Sequence, residues 1–98
     1  RPGAVKKLTE VFTEDMHFLT WEHNKRPLQP ETAQKFVVYR FHHKEKIDLN
    51  RAENIIQVTP DNFFVLPYEG GDKRYIYVVT ALDAFGNESK PSRIKLKL

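Results

Sequence analysis

The clearest signal along this chain is a two-residue alternation. Between 74 and 82, Tyr75, Tyr77, Val79 and Ala81 share one side of an extended segment, with Ile76, Val78 and Thr80 on the other. This is the period of a pleated strand. Gly86 and Asn87, which tolerate positive φ, then stand between Asp83 and Ser89, which hydrogen-bond nearby backbone. The pattern predicts a long strand running into a tight turn. The segment 90–98 alternates as cleanly, with Ile94, Leu96 and Leu98 against Arg93, Lys95 and Lys97. One buried and one cationic face suit an edge strand.

Five further strands can be placed over 4–11, 16–22, 35–42, 55–58 and 63–66. In the second, Leu19 and Trp21 share a face; in the third, Phe36 and Val38 oppose Val37 and Tyr39. Asn24, Pro27 and Pro30 make 23–32 a loop, because proline cannot donate to a ladder. Gly70, Gly71 and Asp72 make 67–73 a turn. The charged stretch 44–54 reads either as a short helical turn over 49–52 capped by Asp48, or as loop. Short strands with frequent turns, and no sustained helical period or internal repeat, predict an all-β, two-sheet antiparallel sandwich.

Ninety-eight residues make one domain, and 40% hydrophobic with 12% aromatic content supplies a core rather than a disordered tail. The net charge of +3 is spread evenly, nine Lys/Arg against seven Asp/Glu in 1–50 and seven against six in 51–98. A nucleic-acid binder shows a basic stripe, so that class is not expected. With no cysteine there is neither a disulfide framework nor a thiolate metal site. No apolar run nears the roughly 20 residues that span a membrane. The opening Arg1-Pro2-Gly3 reads as that of a segment cut from a longer protein.

Candidate chemistry is sparse. His42 and His43 are adjacent and, on a strand, point to opposite faces. His17 and His23 share the parity of Leu19 and Trp21 but are separated by about 20 Å of strand. These are expected to be strand-end or surface histidines rather than metal ligands. Glu14, Asp15, Asp83 and Glu88 sit in turns, where carboxylates satisfy local backbone. Paired glycosidase carboxyls need a cleft, roughly 5–9.5 Å across, which a filled sandwich does not offer. There is no Gly-x-Ser-x-Gly elbow, phosphate-cradling glycine loop or His-Glu-x-x-His, so neither cofactor nor metal is expected.

Four runs, in order, resemble the fibronectin type III family. They are Leu19-Thr20-Trp21, Phe36-Val37-Val38-Tyr39-Arg40, Tyr75 placed six residues before Ala81, and Gly86 to Ser92. The compact approach to the family's corner tyrosine is replaced by a longer 68–74 segment, which leaves Tyr75 or Tyr77 for that role. There is no Arg-Gly-Asp tripeptide. Within the family, the wording of Tyr77 to Ser89 and of Ile55 to Thr59 resembles C-terminal modules of secreted bacterial glycoside-hydrolase-like proteins, often lipoproteins.

The resemblance implies an immunoglobulin-like sandwich of about seven strands. Its core would hold Leu19, Trp21, Phe36, Val38, Tyr75, Tyr77, Val79, Ala81, Ile94 and Leu96. It implies a non-catalytic accessory or spacer role in a secreted or surface-attached protein whose partners are neighbouring domains. The alternative is a protein-interaction or carbohydrate-binding module that uses the loop after the sixth strand and outward aromatics. Phe18, Tyr39, Phe41, Tyr68 and Phe85 are the rings expected to be exposed. Phe85, Tyr68 and Tyr39 are the candidate contacts with a polysaccharide, protein or neighbouring domain.

Overall fold

A computed structural model of the chain describes residues 2–23, 33–68 and 73–97. Seven strands form: β1 (Lys6–Phe12), β2 (His17–Glu22), β3 (Ala33–His42), β4 (Ile55–Thr59), β5 (Phe63–Val65), β6 (Arg74–Asp83) and β7 (Ser92–Lys97). They pair antiparallel in two sheets, ordered β1-β2-β5 and β4-β3-β6-β7. The expected all-β sandwich of about seven strands is what the chain forms. The predicted loop over 23–32, apart from His23, and the Gly70-Gly71-Asp72 turn lie outside the described residues, as does Leu98.

Each strand's inward parity fills the space between the sheets. Leu19 and Trp21 of β2 meet Phe36 and Val38 of β3, Tyr77, Val79 and Ala81 of β6, and Leu96 of β7. Val5 and Leu66 close the two ends, with Tyr75, Ile94, Leu8, Ile56 and Phe64 packed partly buried around them. Eight of the ten expected core residues are buried in this cluster, and the other two, Tyr75 and Ile94, pack against it partly buried. Trp21 meets Phe36 edge-on, with centroids 5.4 Å apart, the arrangement the ring quadrupoles favour.

The outer face of the four-stranded sheet departs from expectation. Tyr39 and Phe41 were expected to be exposed, but they are 2% and 0% accessible. They belong to a second core with Val37, Ile76 and Val78, covered by Ile47 and Leu49 of the β3–β4 connection and by Leu82. That connection is pinned down where Asn54 Nδ2 donates to the Arg40 carbonyl at 2.8 Å and to Glu45 Oε2 at 3.2 Å. Asp48 does not cap a helical turn over 49–52. Its Oδ1 accepts from the Asn50 N–H at 3.0 Å, and the only 3-10 turn among the described residues is Ala52–Asn54.

Candidate contact surfaces at the two poles

The β6–β7 turn is held by one carboxylate. Asp83 accepts from the backbone N–H groups of Phe85 (2.9 Å) and Asn87 (2.8 Å), and from the Asn87 amide (3.2 Å). Burial works against its charge, but the hydrogen bonds from Asn87 and Phe85 outweigh it and hold the carboxyl below its usual range. Asp83 is thus a turn residue, as its sequence setting implied. Ser89 completes the turn, its Oγ accepting from Ala81 N–H while its own N–H donates to the Ala81 carbonyl, both at 2.8 Å.

Gly86 takes φ +82°, with open space where a Cβ would stand. Gly86→Ala should therefore cost only the backbone term, about 1 kcal/mol, read as a lower urea midpoint at unchanged slope. This rigid turn presents Phe85 at its tip, 71% exposed.

The other pole is built where β1 and β2 overhang the facing sheet. Phe12 pairs with His17 at the hairpin end, and the two rings stack with centroids 3.9 Å apart and planes at 12°. His17 Nε2 meets Glu10 Oε2 at 2.6 Å, which fixes the imidazole under Phe12. The Leu66 N–H donates to the His17 carbonyl at 2.8 Å and brings Pro67 and Tyr68 alongside. Phe12, His17, Pro67, Tyr68 and Lys97 line a hollow of about 170 Å³. Phe12 is 69% exposed and Tyr68 90%.

The three aromatic candidates from sequence do not form one surface. Tyr68 and Phe85 stand at opposite ends of the ten-residue β6, about 30 Å apart at ~3.3 Å per residue. Tyr39 lies buried between them, so its ring cannot meet a ligand. Phe18 is half-buried on the outer face of β2, opposite Val11 and Val65, where outward rings fill cross-strand pairs. Phe12 was missed by sequence reasoning. Its parity with Leu8 and Glu10 marks it as inward-facing, but the pattern does not show that the opposite sheet stops short of it.

The histidines also sort themselves. His23 Nε2 lies 2.9 Å from the Gly3 carbonyl, with its ring edge-on to Phe36, so His17 and His23 are strand-end residues with local partners. His42 and His43 do not diverge as expected. β3 ends at His42, the chain turns, and the rings come together with centroids 4.5 Å apart. Among the described residues, no three His, Cys, Asp or Glu side chains gather as a metal site.

Tyr77 is fully buried and Tyr75 partly so, with the Arg40 guanidinium 4.4 Å above its ring. The corner that either could close involves 69–72, outside the described residues.

No protein-family model and no curated protein matches the chain. Among solved structures, it is similar to one described as "Structure of FN3tt mut", a fibronectin type III domain. That likeness covers 98% of this chain and 93% of the other, with a TM-score of 0.62 and 14% identity. At that identity the likeness speaks for the fold, a fibronectin type III-like, immunoglobulin-type sandwich.

Proposed function

We propose that this domain is a non-catalytic accessory module of a longer, secreted or surface-attached bacterial protein, such as a carbohydrate-processing enzyme, and that it meets neighbouring domains through its two poles. The observation that carries the reading is the placement of the exposed rings, Phe85 at one pole with Phe12 and Tyr68 at the other. The chain's course agrees with it. Val5 is tied to the start of β7 by the Ser92 hydroxyl at 2.8 Å, near the Phe85 pole, while β7 ends at Lys97 beside the Phe12 hollow. A module threaded this way can sit in line between two neighbours. The interior is filled by large side chains, and the carboxylates of Asp83 and Glu45 are committed to nearby N–H groups. The bacterial and secreted setting rests on the wording of 77–89 and 55–59.

The test compares amide NMR spectra of the isolated domain and of the same domain within its longer protein. Shifts should concentrate at 12, 17, 68 and 84–87. Phe85→Ala should weaken the contact at its pole by about tenfold while leaving the fold intact. If spectra superimpose at both poles and Phe85→Ala changes nothing, the polar-contact reading fails.

A further inference from the structure

The cations near the Phe12 pole are placed in a way that folding alone does not favour. Strand register sets Arg74 directly opposite Lys97, and Lys95 opposite Ile76, so all three cations leave one face of β6 and β7. His43 joins them, its backbone N–H donating to the Arg74 carbonyl at 3.1 Å. With Tyr75 and Leu96, these residues line a hollow of about 380 Å³. Like charges directly opposite on paired strands destabilise the pair. Among the described residues, no carboxylate forms an ion pair with Arg74, Lys95 or Lys97.

Glu45, the carboxylate of the adjoining turn, is taken up by the His42 N–H, Asn54 and Arg51. Desolvation first, then the charges of His42, Lys44 and Arg74, hold the His43 imidazole below its ordinary pKa. Among the described residues the facing charges have no compensating carboxylate, and a bound anion would supply one. Lys97 also lines the smaller hollow, so the exposed rings of Phe12 and Tyr68 adjoin the cationic one.

We propose that the His43–Arg74–Lys95–Lys97 hollow is an oxyanion site for an acidic glycan. A sulfate or carboxylate group sits among Arg74, Lys95 and Lys97 with His43 beside it, and the sugar chain continues past Lys97 onto the Tyr68 and Phe12 rings. The cations form a compact cluster sized for one or two charges, whereas a nucleic-acid backbone is tracked by a longer basic stripe. The aliphatic stems of Arg74, Lys95 and Lys97 carry their charges over apolar surface, which suits an anion borne on a bulky body. The inference adds a ligand to the accessory role and is tested with a different partner, so its failure leaves the polar-contact reading standing.

The experiment is an amide and imidazole NMR titration of the 98-residue chain at low salt. The probes are inorganic sulfate, a sulfated oligosaccharide, a uronate oligosaccharide, a neutral oligosaccharide of equal length and a short single-stranded DNA. Saturable shifts at 43, 74 and 95–97 are expected with the acidic sugars, weaker ones with sulfate and none with the neutral chain. Lys95→Gln with Lys97→Gln should weaken acidic-sugar binding about tenfold or more, because two of the three cationic charges are lost. Tyr68→Ala should weaken the sugars but not sulfate. The His43 pKa should rise on binding, since a bound anion favours the imidazolium. Three results overturn the proposal: shifts spread equally over Lys6, Lys7 and Lys90, DNA binding tighter than either acidic sugar, or an unchanged affinity in the double Lys→Gln variant.

Discussion

Trp21→Ala should bring the domain close to unfolding, with a loss of about 3–5 kcal/mol. Domains of this size hold about 5–15 kcal/mol in total, so the urea midpoint should fall by about a fifth or more. The size of the effect follows from position. Trp21 is fully buried on β2, edge-on to Phe36, and stands where inward residues of three further strands converge. Alanine there leaves a void that rigid neighbours on two sheets cannot close together. Trp21→Phe separates volume from polarity. The indole Nε1 is buried with no hydrogen-bond acceptor among the described residues. Phenylalanine removes that unpartnered donor while keeping a ring against Phe36, so its cost should be well under half that of alanine. Equal losses for the two variants, or a loss below about 1 kcal/mol for Trp21→Ala, would mean that the indole is not the centre of the core.

The inward core was legible because parity settles it. Once Leu19 and Trp21 or Tyr77 and Val79 are placed on one face, the two-residue period carries the assignment along the whole strand. The outer face of β3 and β6 was not legible for the same reason. Both parities of those strands are apolar, as the Ile76, Val78 and Leu82 series shows beside Tyr75, Tyr77 and Val79. Alternation then marks no outside, and a strand buried on both faces reads as a continuous apolar run. The cover was hidden too. Ile47 and Leu49 are two apolar residues among the charges of 44–54, with no periodicity to announce them.

At the candidate surfaces, the turn chemistry of Asp83, Gly86 and Asn87 placed Phe85 at a tip without ambiguity. Exposure of Phe12, and the meeting of Arg74 with Lys97 and His43, depend on where one sheet ends and on cross-strand register. Neither is a local property of the chain.

The outer face supplies the other large effect, through a polar group rather than a ring. Tyr39 donates its phenol hydrogen to Glu88 Oε2, and the Thr80 hydroxyl donates to the same oxygen at 2.6 Å. Tyr39 and Thr80 are buried, so these hydroxyls rely on that one carboxylate. Glu88→Ala leaves two donors without an acceptor and should cost about 2–4 kcal/mol, at roughly 1–3 kcal/mol for each stranded group. Glu88→Gln keeps an acceptor oxygen and should cost about half as much.

Alkali reads the same contact independently. Burial first, then the hydrogen bond to Glu88 and its charge, hold the Tyr39 phenol well above its ordinary range. The folded chain therefore keeps a proton that the unfolded chain releases near pH 10. Stability from this group is complete below about pH 10 and falls by about 1.4 kcal/mol per unit above it. Urea midpoints measured across that range should drop more steeply for the wild-type chain than for Tyr39→Phe, which has no proton to hold. Parallel slopes in the two chains, together with an unchanged midpoint in Glu88→Ala, would show that the hydroxyls find their acceptors elsewhere.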